Sequence, residues 1–380
     1  MPIILANGED SLHQFKQNVT NAASLAAELV AFANVQGGTL IIGVEDDGTV
    51  AGLTSEDIRR INQLIANVST NNINPPLNVL TRNTQLNGNT IMIVEVPVGP
   101  NRPYCDNLGV FWVRSGADKR RITSQQELRR IFQREGDLFG DEQPISHATL
   151  VDLHHPTLEA YVERIFGQPL DKLGVPTEQL LRNLKLYTHD NLNLTGLLML
   201  AKNPQQFRPQ FNVKAVAYFG NKLTGTEYRD RQDIDGRIPE LYEGTMSFLL
   251  RNLRRVQAGQ GFNSEGKLEI PRAALEEVVQ NALVHRDYFI SAPVRVMLFD
   301  DRLEVISPGT LPNSLTVENI KTGAAIQRNP TLASRAFRVL PYNGLGSGIP
   351  RAVELVPDIQ FDNQRESNQF VVTIYRPVIG

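Results

Sequence analysis

The 380-residue sequence predicts a multidomain α+β protein. Three observations carry that expectation: a length beyond what one core usually fills, an early alternation of helix-period and strand-period segments, and an amphipathic helix late in the chain with strands after it. The composition, 41% hydrophobic and 21% charged, is that of an ordinary globular chain rather than a disordered one. Boundaries are expected near 140 and 261, giving segments 1–140, 141–261 and 262–380.

In chain order, Ser24 is placed to cap a helix carrying Leu25, Leu29, Val30 and Ala33, stopped by Gly37-Gly38, after which TLIIGV reads as a buried strand. Thr54 with Asp57 opens a second amphipathic helix through Ile58, Ile61 and Ile65. Residues 77–84 are expected to pair with 90–96 across Asn87-Gly88, the clearest hairpin in the chain. Residues 110–114 read as another strand, and Ser124 with Glu127 opens a helix that turns Leu128, Ile131 and Phe132 inward. In the middle, 192–200 is an apolar run, 211–219 alternates like a half-buried strand, and 246–256 reads as a helix with Arg251, Arg254 and Arg255 outward. No chemistry attaches to this region. In 275–288, helical spacing puts Leu275, Val278, Val279, Ala282 and Leu283 on an apolar face and Glu277, Asn281 and His285 in one polar stripe.

Several function classes drop out. The N-terminus has no basic n-region before an apolar run, and no stretch approaches the ~18 apolar residues of a membrane span. A soluble, unexported, cytoplasmic protein with no membrane partner is expected. One cysteine, Cys105, excludes an internal disulfide, and the six histidines lack zinc-ligand spacing. The net charge of −3 gives no overall attraction to nucleic acid, so such binding needs a local patch. Residues 102–134 supply one candidate, with eight Lys or Arg against three acids. There Arg114, Ser115-Gly116 and Lys119-Arg120-Arg121 can meet a phosphate backbone, with Phe111 and Trp112 as a stacking face. The same residues equally describe a solvated strand end over core aromatics.

Glu277 and Asn281 lie one helical turn apart and can reach one small site. Gly309 and the glycines of GLGSG (344–348) can bring backbone N–H groups close to phosphate, so a nucleotide pocket or its remnant is one reading, and a solvated helix face with ordinary turns the other. His285-Arg286-Asp287 does not extend to a kinase catalytic loop, because the required Asn position is Ala292. The chain also has no GxxxxGK[ST].

The runs GEDSLHQFK, SLAAELVAFANVQGGTLIIGVEDDGTVAGL and FWVRSGADKR, spread over most of 8–121, resemble the Schlafen AlbA-like domain at the front of many bacterial regulators. That resemblance implies DNA or RNA binding by Lys16, Arg114, Lys119, Arg120 and Arg121. Some relatives are metal-dependent nucleases with acids near the start and after the GV strand; Glu9 and Asp46 or Asp47 match here, while the position often Glu is Gln14. A neutral amide weakens a divalent site that relies on few carboxylates. TGLLMLAKNPQQFRPQ and YRDRQDIDGRI resemble the linking segment of the same proteins.

EEVVQNALVHRDY, FDDRLEVISPGTLP, RNPTLASRAF and GLGSGIPRA resemble the RecG-related C-terminal domain, a divergent GHKL ATPase-like α/β sandwich. The resemblance implies ATP and magnesium as cofactors, with Glu277 orienting water, Asn281 ligating the metal, and Gly309, Gly344, Gly346 and Gly348 around the nucleotide. Where active members have an Asp for the adenine amino group, this chain has Ser307, which forgoes a charge-assisted bond of ~1.5–3 kcal/mol. The function expected is therefore a nucleic-acid-binding transcriptional regulator with a degenerate ATP-binding or dimerisation domain, assembled as a homo-oligomer. The alternative is a metal-dependent Schlafen-like nuclease or slow ATPase acting in defence against foreign nucleic acid. Gln14 and Ser307 argue against the catalytic versions, since each removes a carboxylate.

Overall fold

Asn21, not Ser24, opens the first helix: its side-chain oxygen accepts the Ser24 N–H at 2.9 Å, and α1 runs Ala22–Ala33. The computed structural model describes residues 5, 8–135, 138–223, 227–256, 266–312, 315–340 and 346–377. They form two units, 1–138 and 139–380.

In the first unit, β1 (His13–Lys16) runs parallel to β2 (Gly38–Ile42), and α1 makes the crossover between them. The capping box at Thr54 and Asp57 starts α2 (Ser55–Asn71), which buries Ile61 and Ile65. The hairpin is β3 (Leu80–Leu86) and β4 (Asn89–Val96), in sheet order β1-β2-β4-β3. Asn87 (φ 52°) and Gly88 (φ 81°) give the left-handed pair that a two-residue turn needs. The strand starts at Leu80 rather than 77. A separate ribbon pairs β5 (Trp112–Ser115) with β6 (Asp118–Arg121), and α3 (Gln125–Glu135) follows.

The second unit is built on a six-stranded mixed sheet. Its strands are β7 (Val213–Tyr218), β8 (Tyr228–Ile234), β9 (Val294–Leu298), β10 (Arg302–Pro308), β11 (Gln360–Gln364) and β12 (Gln369–Tyr375), in the order β8-β7-β9-β10-β12-β11. Of these, only β7 and β9 pair in parallel. One apolar cluster, from Ile145 to Ile374, runs through both the middle segment and the last, so the two share a core. Leu194–Leu200, the apolar run of the middle segment, is a wholly buried helix within it.

The helix expected at 246–256 begins earlier and ends sooner, at Ile238–Asn252, because Pro239 and the Arg237–Glu240 pairing start it. Arg254 therefore leaves the helix and binds Glu269 at 2.8 Å. The late helix, α4, is Arg272–Val284, shorter than the 275–288 pattern implied. His285 closes it with its N–H on the Asn281 carbonyl at 2.9 Å, and the Tyr288 hydroxyl folds back onto the Leu283 carbonyl at 2.9 Å. The short helix α5 (Gly348–Leu355) packs on α4. Among the described residues, no helix is long and apolar enough to cross a membrane.

Candidate functional site

In the first unit the sequence-predicted cations do not form one strip. Strand pairing sets Arg114 opposite Lys119, Trp112 opposite Arg121, and Val113 opposite Arg120. Successive residues alternate faces, so Arg114, Lys119 and Arg121 share one face and Arg120 takes the other. Arg114 is not a surface group: its side chain is 2% exposed. It pairs with Glu28 at 3.4 Å, donates to the Gln14 amide oxygen at 2.7 Å and to the Asp10 and Ala117 carbonyls at 2.7 and 2.5 Å, and lies over the Phe32 ring. Burial lowers its pKa, against the pull of Glu28 and other nearby acids.

Lys119 reaches the other oxygen of Glu28 at 2.5 Å, while Arg120 is held by Glu127 at 2.9 and 2.5 Å. Lys16 lies 4.0 Å from Glu9 and 3.9 Å from Asp46. Arg121 is exposed, with its guanidinium 5.1 Å from the centre of the Trp112 ring. The Trp112 indole N–H is in turn fixed on Asp106 at 2.8 Å.

The acids named for a nuclease are engaged as well. Glu9 accepts from the Gln14 amide at 2.5 Å and the Phe15 N–H at 2.8 Å. Asp47 accepts the Thr49 N–H at 2.8 Å, which lowers its pKa, and so works as a turn former. Among the described residues, no group of three or more His, Cys, Asp or Glu is placed to hold a metal ion. Glu28 is the residue sequence reasoning missed. Its signal was a lone acid inside the apolar run 25–33.

In the second unit, α4, β10, β12, residues 309–312, 315, 320 and 324–328, and the first turn of α5 enclose a cavity of about 140 Å³. Glu277, Asn281, Ser307, Gly309, Gly346 and Gly348 all line it, whereas Gly344 lies outside the described residues. Val278, Ala282, Val305, Ile326, Phe370 and Val372 add an apolar wall. The Glu277 carboxylate forms an ion pair with Arg351, one turn into α5. A Cβ built on Gly348 would collide with that same carboxylate, so a larger residue here would have to push the end of the Glu277 side chain aside. The Asn281 amide nitrogen donates to the Glu277 carbonyl at 2.7 Å, which leaves its oxygen as the acceptor it can offer.

Ser307 turns its hydroxyl to the Ala282 carbonyl at 3.1 Å, tying β10 to α4. Arg328 lines the cavity and donates to the Thr310 carbonyl at 2.6 Å. Burial, reinforced by the Arg328 charge, pushes His285 down to about 4, so it is neutral at pH 7. Arg286 and Asp287 are structural: Arg286 is buried over Phe211 and Tyr288 and binds the Ile290 and Ala292 carbonyls, and the Asp287 N–H meets the Pro308 carbonyl at 2.7 Å.

These residues fit a nucleotide. The apolar wall suits a flat base, two guanidinium groups suit phosphate, and Gly346 (φ 74°) with Gly348 leaves room a side chain would fill. For magnesium the cavity supplies two side-chain amides, Asn281 and Gln327, and one carboxylate, the latter already paired. The remaining ligands would be phosphate oxygens and water, as is common for this ion.

Residues 9–123 match the family model "Schlafen, AlbA_2", and residues 291–374 match "Putative ATP-dependent DNA helicase recG C-terminal". No curated protein matches the chain. Among solved structures, the DIP2311 protein of Corynebacterium diphtheriae is 21% identical with a TM-score of 0.49, over 96% of this chain and 75% of that one. The N-terminal domain of a RecG-related protein of Nitrosomonas europaea is 20% identical with a TM-score of 0.22, over 31% of this chain and 87% of that one. Likenesses this loose carry nothing about the chemistry of either unit. The two family matches fall one in each unit, and the chain therefore joins a Schlafen AlbA_2 domain to a RecG-related C-terminal domain.

Proposed function

We propose that the chain is a nucleic-acid-binding regulator, with DNA or RNA contacted by its Schlafen AlbA_2 domain and a nucleotide held by its RecG-related domain. The observation that supports the first half is the exposed Arg121 over Trp112 at the edge of the β5–β6 ribbon. A cation on an aromatic face is the combination that meets both parts of a single strand, phosphate and base. Lys16, near Glu9 and Asp46, is a further partly exposed cation of this unit, whereas Arg114 builds the platform without touching the strand.

Labelled single-stranded DNA and RNA, titrated with the full chain at low and at raised salt, test this half. Binding should weaken with salt and be lost in Arg121→Glu, while Arg120→Ala leaves it nearly intact. No binding at low salt, or equal loss in both variants, contradicts it.

For the second half, the convergence of Glu277, Asn281, two guanidinium groups and glycine turns on one cavity favours ligand binding over a purely dimerising role. Glu277 would position water or a metal-bound group and Asn281 would offer its oxygen to magnesium. The ATP itself supplies the phosphoryl chemistry when bound. With Glu277 engaged by Arg351 and Ser307 engaged by Ala282, binding with slow or no turnover is the expected behaviour. Melting temperature measured against ATP concentration tests it, since a specific ligand must raise the transition. Asn281→Ala should remove the magnesium-dependent part of the rise.

A further inference from the structure

The ion pair between Glu277 and Arg351 joins two unequal partners. The glutamate side chain is 6% exposed, in the middle of α4, and the arginine side chain is 48% exposed, in the first turn of α5. A carboxylate buried in the cavity wall gains little water by turning aside, whereas a half-exposed arginine on a long stem regains water as it swings away. If the pair opens, Arg351 moves and Glu277 stays.

Ser347, Gly348 and Ile349, which precede Arg351 in the same turn, line the cavity together with Arg328. An anion entering there meets two guanidinium groups and one carboxylate already neutralised by one of them. His285 adds no charge near neutral pH.

We propose that Arg351 is a switch residue: it holds Glu277 while the cavity carries no anion, and transfers to a phosphate of an incoming nucleoside phosphate, so that one event seats the ligand and frees the carboxylate. This rests on the reading that the rear cavity takes a nucleotide. Arg351 is then a positioning and specificity residue, selecting ligands that carry an anion beside their apolar body. Gly348 supports the coupling, because its bare backbone seats the start of α5 directly on the Glu277 carboxylate.

The test is calorimetric titration of the full chain with ADP, which has no γ-phosphate to hydrolyse, and with adenosine, which has no phosphate. Four proteins are compared: wild type, Glu277→Gln, Arg351→Ala and the double variant. Glu277→Gln should bind ADP roughly tenfold more tightly, since Arg351 no longer leaves a charged partner. Arg351→Ala should bind it more weakly, and the gain from Glu277→Gln should vanish in the double variant. Adenosine should bind all four alike. Should Arg351→Ala unfold, Arg351→Gln takes its place with the same expectation. ADP binding that is equal in all four proteins overturns the switch and leaves the nucleotide site standing; no ADP binding by wild type or any variant overturns both.

Discussion

Glu28 of the first unit and Glu277 of the second have the same setting along the chain: each is an acid in an apolar helix, and each is paired with an arginine. Their surroundings differ. Glu28 faces Arg114, itself 2% exposed, and Lys119 completes the triad. Glu277 faces a half-exposed arginine across the wall of a cavity. An acid whose cation is equally buried fixes the fold, because neither partner can leave without a large desolvation cost. An acid whose cation stands at a rim can exchange partners, and that is what a ligand site needs. The mobility of the cation, rather than the burial of the acid, separates the two.

A third buried acid sharpens the contrast. Asp141 is 0% exposed; one oxygen accepts the Leu332 N–H at 2.7 Å and the other has no partner among the described residues, so burial pushes its pKa up to about 7. No described cation pairs with it.

The largest effect is expected from Arg114→Ala. It leaves Glu28 buried with half its compensation removed and should cost about 3–5 kcal/mol in urea denaturation. A loss below about 1 kcal/mol, the level of a surface pair, would break the comparison. Next comes the pH response of Asp141. A carboxyl whose folded pKa lies above its unfolded value contributes stability below about 3.8 that is lost as pH rises toward about 7. Asp141→Asn should therefore raise the urea midpoint at pH 8 and leave it nearly unchanged at pH 4. His285 runs the other way: its folded pKa lies below the unfolded 6.5, so its contribution is lost as pH falls from about 6.5 toward about 4. The slope between those values should flatten in His285→Asn.

Asn34→Ala follows in size. This side chain donates to the Tyr104 and Trp112 carbonyls, each at 2.9 Å, and accepts the Tyr104 N–H at 2.7 Å, and its loss should cost about 2 kcal/mol at the thermal midpoint. Smallest is Arg351→Ala: the carboxylate it leaves lines a cavity that water can enter, so the cost should fall well below that of Arg114→Ala. A cost as large as that of Arg114→Ala would make the two arginines equivalent and erase the distinction.

Much of this architecture was legible because local signals act alone. The Thr54 and Asp57 capping box and the Asn87-Gly88 turn each follow from a few adjacent residues. Glu277 and Asn281 were also legible as neighbours, since helical spacing puts both on one side whatever packs there. What the sequence hid was pairing at a distance. Nothing near Arg114 announces Glu28, 86 positions away, or Gln14, 100 positions away. A strand-borne arginine followed by three more cations reads as a surface patch until the fold turns it inward. Arg351 was hidden for the same reason: its partner is on another helix, and only their contact gives it meaning. The helix ends at Asn252 and Val284 were misplaced because periodicity continued past residues whose side chains the tertiary fold recruits elsewhere.

Hydrogen–deuterium exchange of the full chain, with and without ADP, bears most directly on the distinction between the two acids. ADP should change protection in 272–285, 307–328 and 346–355, around Glu277, and leave 9–34 and 112–121, around Glu28, as they were. Unchanged exchange at the cavity, or equal changes at both acids, would contradict it.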